Sequence, residues 1–186
     1  MNRLASRSTP ALLALLAACA MPTISSAAKS TPAKKVKHAQ RAADTSPLLR
    51  SRLLWATIDV CNPADQQNTV GIRGSMPGDH QAHDTMYMRF RLQYMDSTTK
   101  SWTDLSKASA SYAAVGSGAA ARQAGRSFQL DPVAGQPAFT LRGVVNFQWR
   151  RGSKVLAQIS RTTSAGRQSL AGSDPANFSA ATCSIG

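Results

Sequence analysis

The residues best suited to metal chemistry lie together in one short segment of the sequence. His80 and His83 are three positions apart, and Asp79 and Asp84 flank them. Imidazole nitrogens and carboxylate oxygens are common ligands of zinc and other divalent cations. No further motif with ligand spacing accompanies the segment, so the competing interpretation is a polar loop between two strands. We predict no metal and no other cofactor, and we keep these four residues as the alternative metal ligands.

The same segment also bears on hydrolytic chemistry. Ser75 precedes it and could serve as a nucleophile beside Asp84 and one of the two histidines, His80 or His83. The sequence has no G-x-S-x-G turn that would expose this serine, and all these residues crowd into one loop. We therefore predict no catalytic residue. A metal-dependent or serine hydrolase with a site around residues 75–84 is the alternative function.

Four arginines fall on the polar sides of two predicted strands. Arg89 and Arg91 belong to the first strand, and Arg142 and Arg150 belong to the second. If the two strands are neighbours in a sheet, the four side chains form a basic patch that could bind an anionic polymer. Aromatic residues are nearly absent from these positions, Tyr87 excepted, which argues against a specific nucleic-acid site. The alternative interpretation is an ordinary solvated sheet face.

Alternation of apolar and polar residues predicts the strands that carry these arginines. Every second side chain from Met86 to Tyr94 is apolar or aromatic, and residues 137–151 and 154–162 repeat this pattern. Shorter strands are predicted at Leu54–Cys61, Thr69–Arg73, Ser101–Leu105, Ser111–Val115, Ser127–Leu130 and Asn177–Ile185. One helical turn is predicted at Ala119–Ala124. Strands at this spacing predict an all-β domain over residues 53–186, an antiparallel β-sandwich of immunoglobulin-like architecture.

The hairpin at residues 151–153 is constrained by parity. Phe147 must share the core face with apolar residues of the next strand, such as Ala157. A two-residue turn would instead place Gln158 opposite Phe147. We therefore predict a three-residue loop with Gly152 in a left-handed conformation.

Cys61 and Cys183 are predicted to form a disulfide. They are the only cysteines left if the chain is cleaved at Ala27 or Ala28, and an exported chain meets oxidising conditions. The bond would close a loop of more than a hundred residues and fasten the last strand to the first. The chain-entropy model assigns such a loop about 4–5 kcal/mol of stabilisation. Two buried free thiols are the alternative.

Residues 1–28 are predicted to be a signal peptide. Arg3 and Arg7 precede the apolar segment Ala11–Ala20, and small residues before Ala27 or Ala28 suit cleavage. This predicts a secreted or envelope-associated protein with no transmembrane segment in the mature chain. The alternative is a lipoprotein, because Leu16–Cys19 resembles the motif in which the cysteine becomes a lipidated first residue.

Residues 29–52 are predicted to be a disordered basic linker. The segment carries seven Lys or Arg residues and one Asp, a net charge of +6, and its Pro, Ser, Thr and Ala residues leave little to bury. Lys34, Lys35 and Lys37 could contact an anionic surface. A soluble spacer with no partner is the alternative interpretation.

Composition sets the class of protein. Among 186 residues, 22 are Lys or Arg and 9 are acidic, all of them Asp, so the formal net charge is +13. The length suits one domain, or one small domain with a tail. Hydrophobic residues make up 42% of the chain, too many for a wholly disordered protein. No apolar run reaches about eighteen residues, the length that a membrane-spanning helix needs.

Five segments of the domain share a pattern with other proteins. They are Ala56–Asn62, Asn68–Gly78, Met88–Phe90, Arg122–Gly125 and Ala181–Cys183. In these segments the chain resembles a family of small uncharacterised secreted bacterial proteins. The resemblance implies a disulfide-closed β-sandwich domain and implies no activity.

These features predict a non-catalytic binding or structural module of the cell envelope or extracellular space. Its expected partner is an anionic polymer of the envelope, and no specific nucleic acid is expected. The basic linker and the four arginines are the predicted means of contact.

Overall fold

The computed structural model describes residues 44–167 and 169–186. The predicted signal peptide, the lipidation alternative at Cys19 and the predicted contacts of Lys34, Lys35 and Lys37 lie outside the described residues. No helix in the described ranges is long and apolar enough to cross a membrane.

The described chain is built almost entirely from antiparallel strands, which confirms the all-β prediction. One five-residue helix, α1 (Ser46–Arg50), precedes them. The strands are β1 (Trp55–Cys61), β2 (Thr69–Met76), β3 (Thr85–Asp96), β4 (Ser101–Ser109), β5 (Ala113–Ser117), β6 (Arg122–Gln129), β7 (Phe139–Arg151), β8 (Lys154–Thr162) and β9 (Thr182–Ile185).

The strands form two sheets. Three strands make the smaller sheet, in the order β1-β2-β6. In the larger sheet, β3 and β7 are the central pair and β8 lies beyond β7. One edge of β3 pairs with β5 near its start and with β4 near its end. The other edge of β7 pairs with β9 near the start of β7 and with β8 along the rest of the strand.

Alternating side chains of both sheets fill one core between them. On β3, Met86, Met88 and Leu92 are fully buried, and on β7 Phe147 and Trp149 are fully buried. Two glycines have side chains of the opposite sheet directly over their Cα atoms. A Cβ atom at Gly74 of β2 would lie 3.1–3.2 Å from side chains of β3 and β7, and one at Gly143 would lie 2.8 Å from Ile72. Glycine at these positions therefore lets the sheets pack closely.

The predicted three-residue hairpin loop is wrong. Arg151 pairs directly with Lys154, which leaves the two-residue turn Gly152-Ser153, with Gly152 at φ 57°. Parity is restored by a bulge on β8, because Arg150 pairs with Val155 whereas Trp149 pairs with Ala157. The extra residue brings Ile159 opposite Phe147. The core face did require one extra residue in the hairpin, but the bulge in β8 supplies it and the turn does not.

The disulfide between Cys61 and Cys183 is confirmed, with 5.7 Å between the Cα atoms. Cys61 ends β1 of the smaller sheet, and Cys183 lies in β9 of the larger sheet. The bond therefore joins the two sheets as well as the two ends of the domain.

Two local predictions differ from the structure. The predicted helical turn at Ala119–Ala124 is wrong, because residues 118–120 are a turn and β6 begins at Arg122, where pairing with β2 outweighs local helix propensity. In the predicted linker, the described residues 44–52 contain α1, and Leu48 and Leu49 pack against the core. Two apolar side chains thus tie the end of that segment to the domain.

Candidate anion-binding face

The outer face of the larger sheet carries all four arginines predicted to form a basic patch. β3 and β7 are paired from Thr85 to Tyr94, so Arg89 and Arg91 lie beside the β7 residues of the same face. Arg142 lies opposite Gln93, and Arg150 lies opposite Thr85. We call this surface the arginine face, defined by Arg89, Arg91, Arg142 and Arg150. Its existence depends on the pairing of the two strands, which brings together residues up to 61 positions apart in the sequence.

At one end of the arginine face, Arg150 is stacked against two aromatic rings. Its guanidinium carbon lies 4.3 Å from the ring centre of Tyr87 and 5.1 Å from that of Tyr112. Arg150 Nε donates to Oε1 of Gln148 at 2.7 Å, and Gln148 Nε2 donates to Oε1 of Gln158 at 3.1 Å. The two rings and the hydrogen-bonded side chains of Gln148 and Gln158 hold the Arg150 guanidinium in one orientation.

At the opposite end, Arg142 is stacked on Trp102, 4.3 Å from the ring centre. Its Nε donates to Oε1 of Gln93 at 2.8 Å. Burial lowers the pKa of Arg142 from its usual value, but an arginine stays protonated at any physiological pH. This end of the face therefore presents a fixed cation backed by an indole ring.

The two central arginines are held by hydrogen bonds. Arg89 donates from Nε to the Ala110 carbonyl oxygen at 3.0 Å and from Nη2 to Ser109 Oγ at 2.9 Å. Arg91 donates from Nε to Oδ1 of Asn146 at 3.2 Å and forms an ion pair with Asp104. These contacts orient both side chains. The partners of Arg89 are uncharged, so its positive charge is not neutralised, whereas the charge of Arg91 is paired with Asp104.

The charge of the arginine face is mostly uncompensated. In the described part of the chain, Asp104 is the only carboxylate that accepts a hydrogen bond from any of the four arginines. Gln93 also donates to Asp104, at 2.8 Å. One negative charge is thus set against four positive ones, so this group of side chains carries a net positive charge.

The His and Asp segment is organised around one ion pair. The Asp84 side chain is almost fully buried, and Arg151 donates to both of its oxygens, from Nε at 2.7 Å and from Nη2 at 2.9 Å. His83 Nε2 lies 3.4 Å from Asp84 Oδ1, but its side chain is 58% exposed. His80 is exposed as well, in a left-handed turn at φ 63°.

The two carboxylates of the segment are in different electrostatic states. The hydrogen bonds from Arg151 lower the pKa of Asp84. Burial, together with the neighbouring Asp84 carboxylate, raises the pKa of Asp79, against the hydrogen bond that Gln81 N donates to it at 3.0 Å. Asp84 is therefore the stable anion, and its charge is already matched by Arg151.

The structure does not assemble the alternative metal or hydrolase site. Within residues 44–167 and 169–186, no group of three or more His, Cys, Asp or Glu side chains could hold a metal ion. Ser75 is buried in β2, and no hydrogen bond joins it to His80, His83 or Asp84 among the described residues. Asp84 is instead paired with Arg151, the last residue of β7.

Sequence reasoning missed three contributors to the arginine face. Trp102 and Tyr112 stack on its arginines, and Gln148 orients one of them. Trp102 stands in a predicted strand, so its presence in a sheet was foreseeable. Which arginine it meets depends on the alignment of β3 with both neighbours, and alternation within one strand does not contain that information.

Comparison with known proteins adds little to this description. No protein-family model matches the chain, and no curated protein matches it either. Among solved structures, the chain is similar to Pseudomonas fluorescens alkylpurine DNA glycosylase AlkC bound to DNA containing an abasic site analog. The identity is 14%, the TM-score is 0.31, and the similarity covers 60% of this chain and 29% of that one. A score of that size supports no inference, and the resemblance to small secreted bacterial proteins stays a prediction.

Proposed function

We propose that this protein is a secreted or envelope-associated, non-catalytic module whose arginine face binds an anionic polymer of the cell envelope. The observation that carries the proposal is the convergence of four guanidinium groups on one sheet face, with a single carboxylate among their partners in the described residues. The module needs no cofactor for this task, because the interaction is between fixed charges.

The dimensions of the face favour an extended polymer over a small ion. Arg142 and Arg150 are eight residues apart on one strand, a distance of about 27 Å at the usual rise of a β-strand. Arg89 and Arg91 lie between these ends on the neighbouring strand. A row of cations of this length matches a chain with repeated negative charges better than it matches a single anion.

The aromatic and amide contacts of the arginines favour binding as well. A free arginine side chain loses rotamer freedom when it binds, at a cost of about 0.5–1.5 kcal/mol for each immobilised side chain. Arg142 and Arg150 are already held against Trp102 and Tyr87. Their ordering accompanies folding, so less of this cost remains when a polymer arrives.

The proposal includes an immunoglobulin-like β-sandwich behind a signal peptide and a basic linker. Two antiparallel sheets with one shared core, joined by Cys61–Cys183, support the sandwich. The disulfide also favours export, since such bonds persist in oxidising compartments. The predicted linker residues Lys34, Lys35 and Lys37 would add further positive charge for such a contact.

The experiment that tests the proposal compares two variants with equal loss of charge. R142Q/R150Q removes the ring-stacked cations of the arginine face. R122Q/R126Q removes two exposed arginines of β6, in the other sheet. Residues 29–186 of each variant are eluted with salt from an immobilised sulfated polysaccharide and from immobilised polyglutamate.

We expect R142Q/R150Q to elute at clearly lower salt than the unmodified protein, and R122Q/R126Q to shift much less. A circular dichroism melt of each variant checks that the fold is retained. Equal shifts for both variants would show that net charge alone is responsible and would overturn the assignment of the site. Elution of all three proteins without retention would leave a purely structural role.

A further inference from the structure

A polar cavity lies on the outer face of the smaller sheet, away from the arginine face. It has a volume of about 550 Å³ and lies between the sheet and residues 166, 167 and 169–171. Trp55 of β1, Arg73 of β2 and Gln123 of β6 form its floor, and Arg167 and Leu170 contribute from the overlying segment. Cavities of this size hold small organic ligands in many proteins.

The segment above the cavity is fixed to the sheet by hydrogen bonds. Ser164 N donates to the Ala56 carbonyl oxygen at 2.9 Å, and Arg167 N donates to Ser179 Oγ at 3.0 Å. Ser179 is in turn 2.7 Å from Thr57 Oγ1 of β1. Hydrogen bonds to β1 therefore hold the overlying segment in place, and they fix the shape of the cavity.

Arg73 presents unused donors to the cavity. Its Nε donates to Oδ2 of the buried Asp59 at 2.7 Å. No described residue accepts a hydrogen bond from its two Nη atoms. Arginine offers five N–H groups in a planar fork, so the ion pair with Asp59 orients the fork and leaves its far edge available.

Arg167 contributes a buried hydrogen-bond donor that no described residue satisfies. Its Nε is buried and has no hydrogen-bond partner among the described residues. Its guanidinium carbon lies 5.2 Å from the ring centre of Trp55. A buried polar group without a partner is costly, and an anion held at the guanidinium would offset that cost. Asp59, which pairs with Arg73, is the one carboxylate among the described residues that pairs with either arginine. The two guanidinium groups together therefore retain a positive charge.

We propose that this cavity binds a small organic oxyanion, with the Arg73 and Arg167 guanidinium groups around its charged end. A carboxylate or a phosphate accepts paired hydrogen bonds from arginine. The apolar part of such a ligand would lie against Trp55 and Leu170, and Gln123 offers a neutral polar contact. The arginine face and the polymer proposal are not required for this inference.

The test uses two aromatic probes of similar size and shape, the anion benzoate and the neutral amide benzamide, with inorganic phosphate as a third. Binding to residues 29–186 is followed through the indole and arginine Nε signals in ¹H–¹⁵N NMR spectra. We expect saturable shifts of the Trp55 and Arg167 signals with benzoate and none with benzamide. Saturation by phosphate as well would show that the charged end dominates, whereas benzoate alone would show that the apolar wall contributes.

The variant R167Q should weaken benzoate binding about tenfold or more, because a charge-assisted hydrogen bond is lost. R126Q removes an exposed arginine of the same sheet with the same charge change and should leave binding unchanged. Equal binding by R167Q and R126Q would overturn the proposal. So would the absence of saturable binding by both benzoate and phosphate at millimolar concentration, with the fold confirmed by the NMR spectrum itself.

Discussion

Arg151 binds both carboxylate oxygens of the buried Asp84, across 67 positions of sequence. Asp84 immediately precedes β3, and Arg151 is the last residue of β7. The ion pair therefore fastens one end of the central strand pair of the larger sheet. It also explains why the most chemically suggestive segment of the sequence has a structural role, since its best ligand is already occupied.

The first prediction concerns the loss of this ion pair. R151Q leaves the Asp84 carboxylate buried without its cation, so we expect a lower thermal midpoint at neutral pH. K154Q, which removes an equal charge from the exposed start of β8, is the matched control and should melt close to the unmodified protein. If the two variants melt together, the ion pair does not stabilise the fold.

The second prediction concerns pH. The hydrogen bonds from Arg151 lower the pKa of Asp84 from its usual value of 3.8. The stability from its charge is therefore present above pH 3.8 and is lost as pH falls through the lower folded value. Melts at decreasing pH should show the unmodified protein losing stability below pH 4 more steeply than D84N. Parallel pH profiles for the two proteins would contradict this assignment.

The third prediction concerns Asp79, whose shift has the opposite sign. Burial raises its pKa in the folded state, so its contribution favours folding at low pH and is lost as pH rises through the raised value. D79N keeps the oxygen that accepts from Gln81 and removes the negative charge. We expect D79N to be at least as stable as the unmodified protein at pH 7, measured by thermal melting, and a marked loss would show that the charge is needed.

The fourth prediction compares two tryptophans. Trp149 is fully buried and its Nε1 donates to the Pro77 carbonyl oxygen at 2.9 Å. W149F removes that hydrogen bond and leaves a void, at a cost of about 2–4 kcal/mol in the free energy of unfolding. W102F makes the same change on the arginine face, where the indole is partly exposed, and should cost clearly less. Urea unfolding measures the loss of unfolding free energy in both variants. A larger loss for W102F than for W149F would contradict the prediction.

The fifth prediction concerns the disulfide. C61S/C183S releases a loop whose ends are 122 residues apart, worth about 4–5 kcal/mol in the chain-entropy model. The unmodified protein without reductant should expose no reactive thiol from these two positions. Urea unfolding should then show a correspondingly lower midpoint for the double variant, and reductant should lower the midpoint of the unmodified protein only.

Much of the secondary structure was predictable, because alternation along one strand is a local signal. The alternation from Met86 to Tyr94 predicts β3 and its buried face, and this prediction does not depend on which strands are its neighbours. The hairpin after β7 shows where such reasoning stops. Parity required one extra residue, but a bulge at Leu156 and an added turn residue satisfy parity equally well, and the packing of both sheets selected the bulge.

The candidate sites were predictable to different degrees. The four arginines of the arginine face were found from their side of each strand, whereas Trp102 and Tyr112 were not, because their contacts depend on the alignment of separate strands. The cavity at Trp55 was not foreseen at all. Arg73 and Arg167 are 94 positions apart, and no periodic pattern connects them.

The sequence by itself determined the strand-rich class of this domain, the faces of its long strands and the pairing of its two cysteines. These follow from side-chain polarity at a spacing of two and from the small number of thiols. Only the tertiary structure decided that Asp84 pairs with Arg151, that Arg142 and Arg150 stack on aromatic rings, and that Arg167 lies over Trp55. Such contacts are set by which strands become neighbours and in what alignment, and that choice minimises the free energy of the whole core.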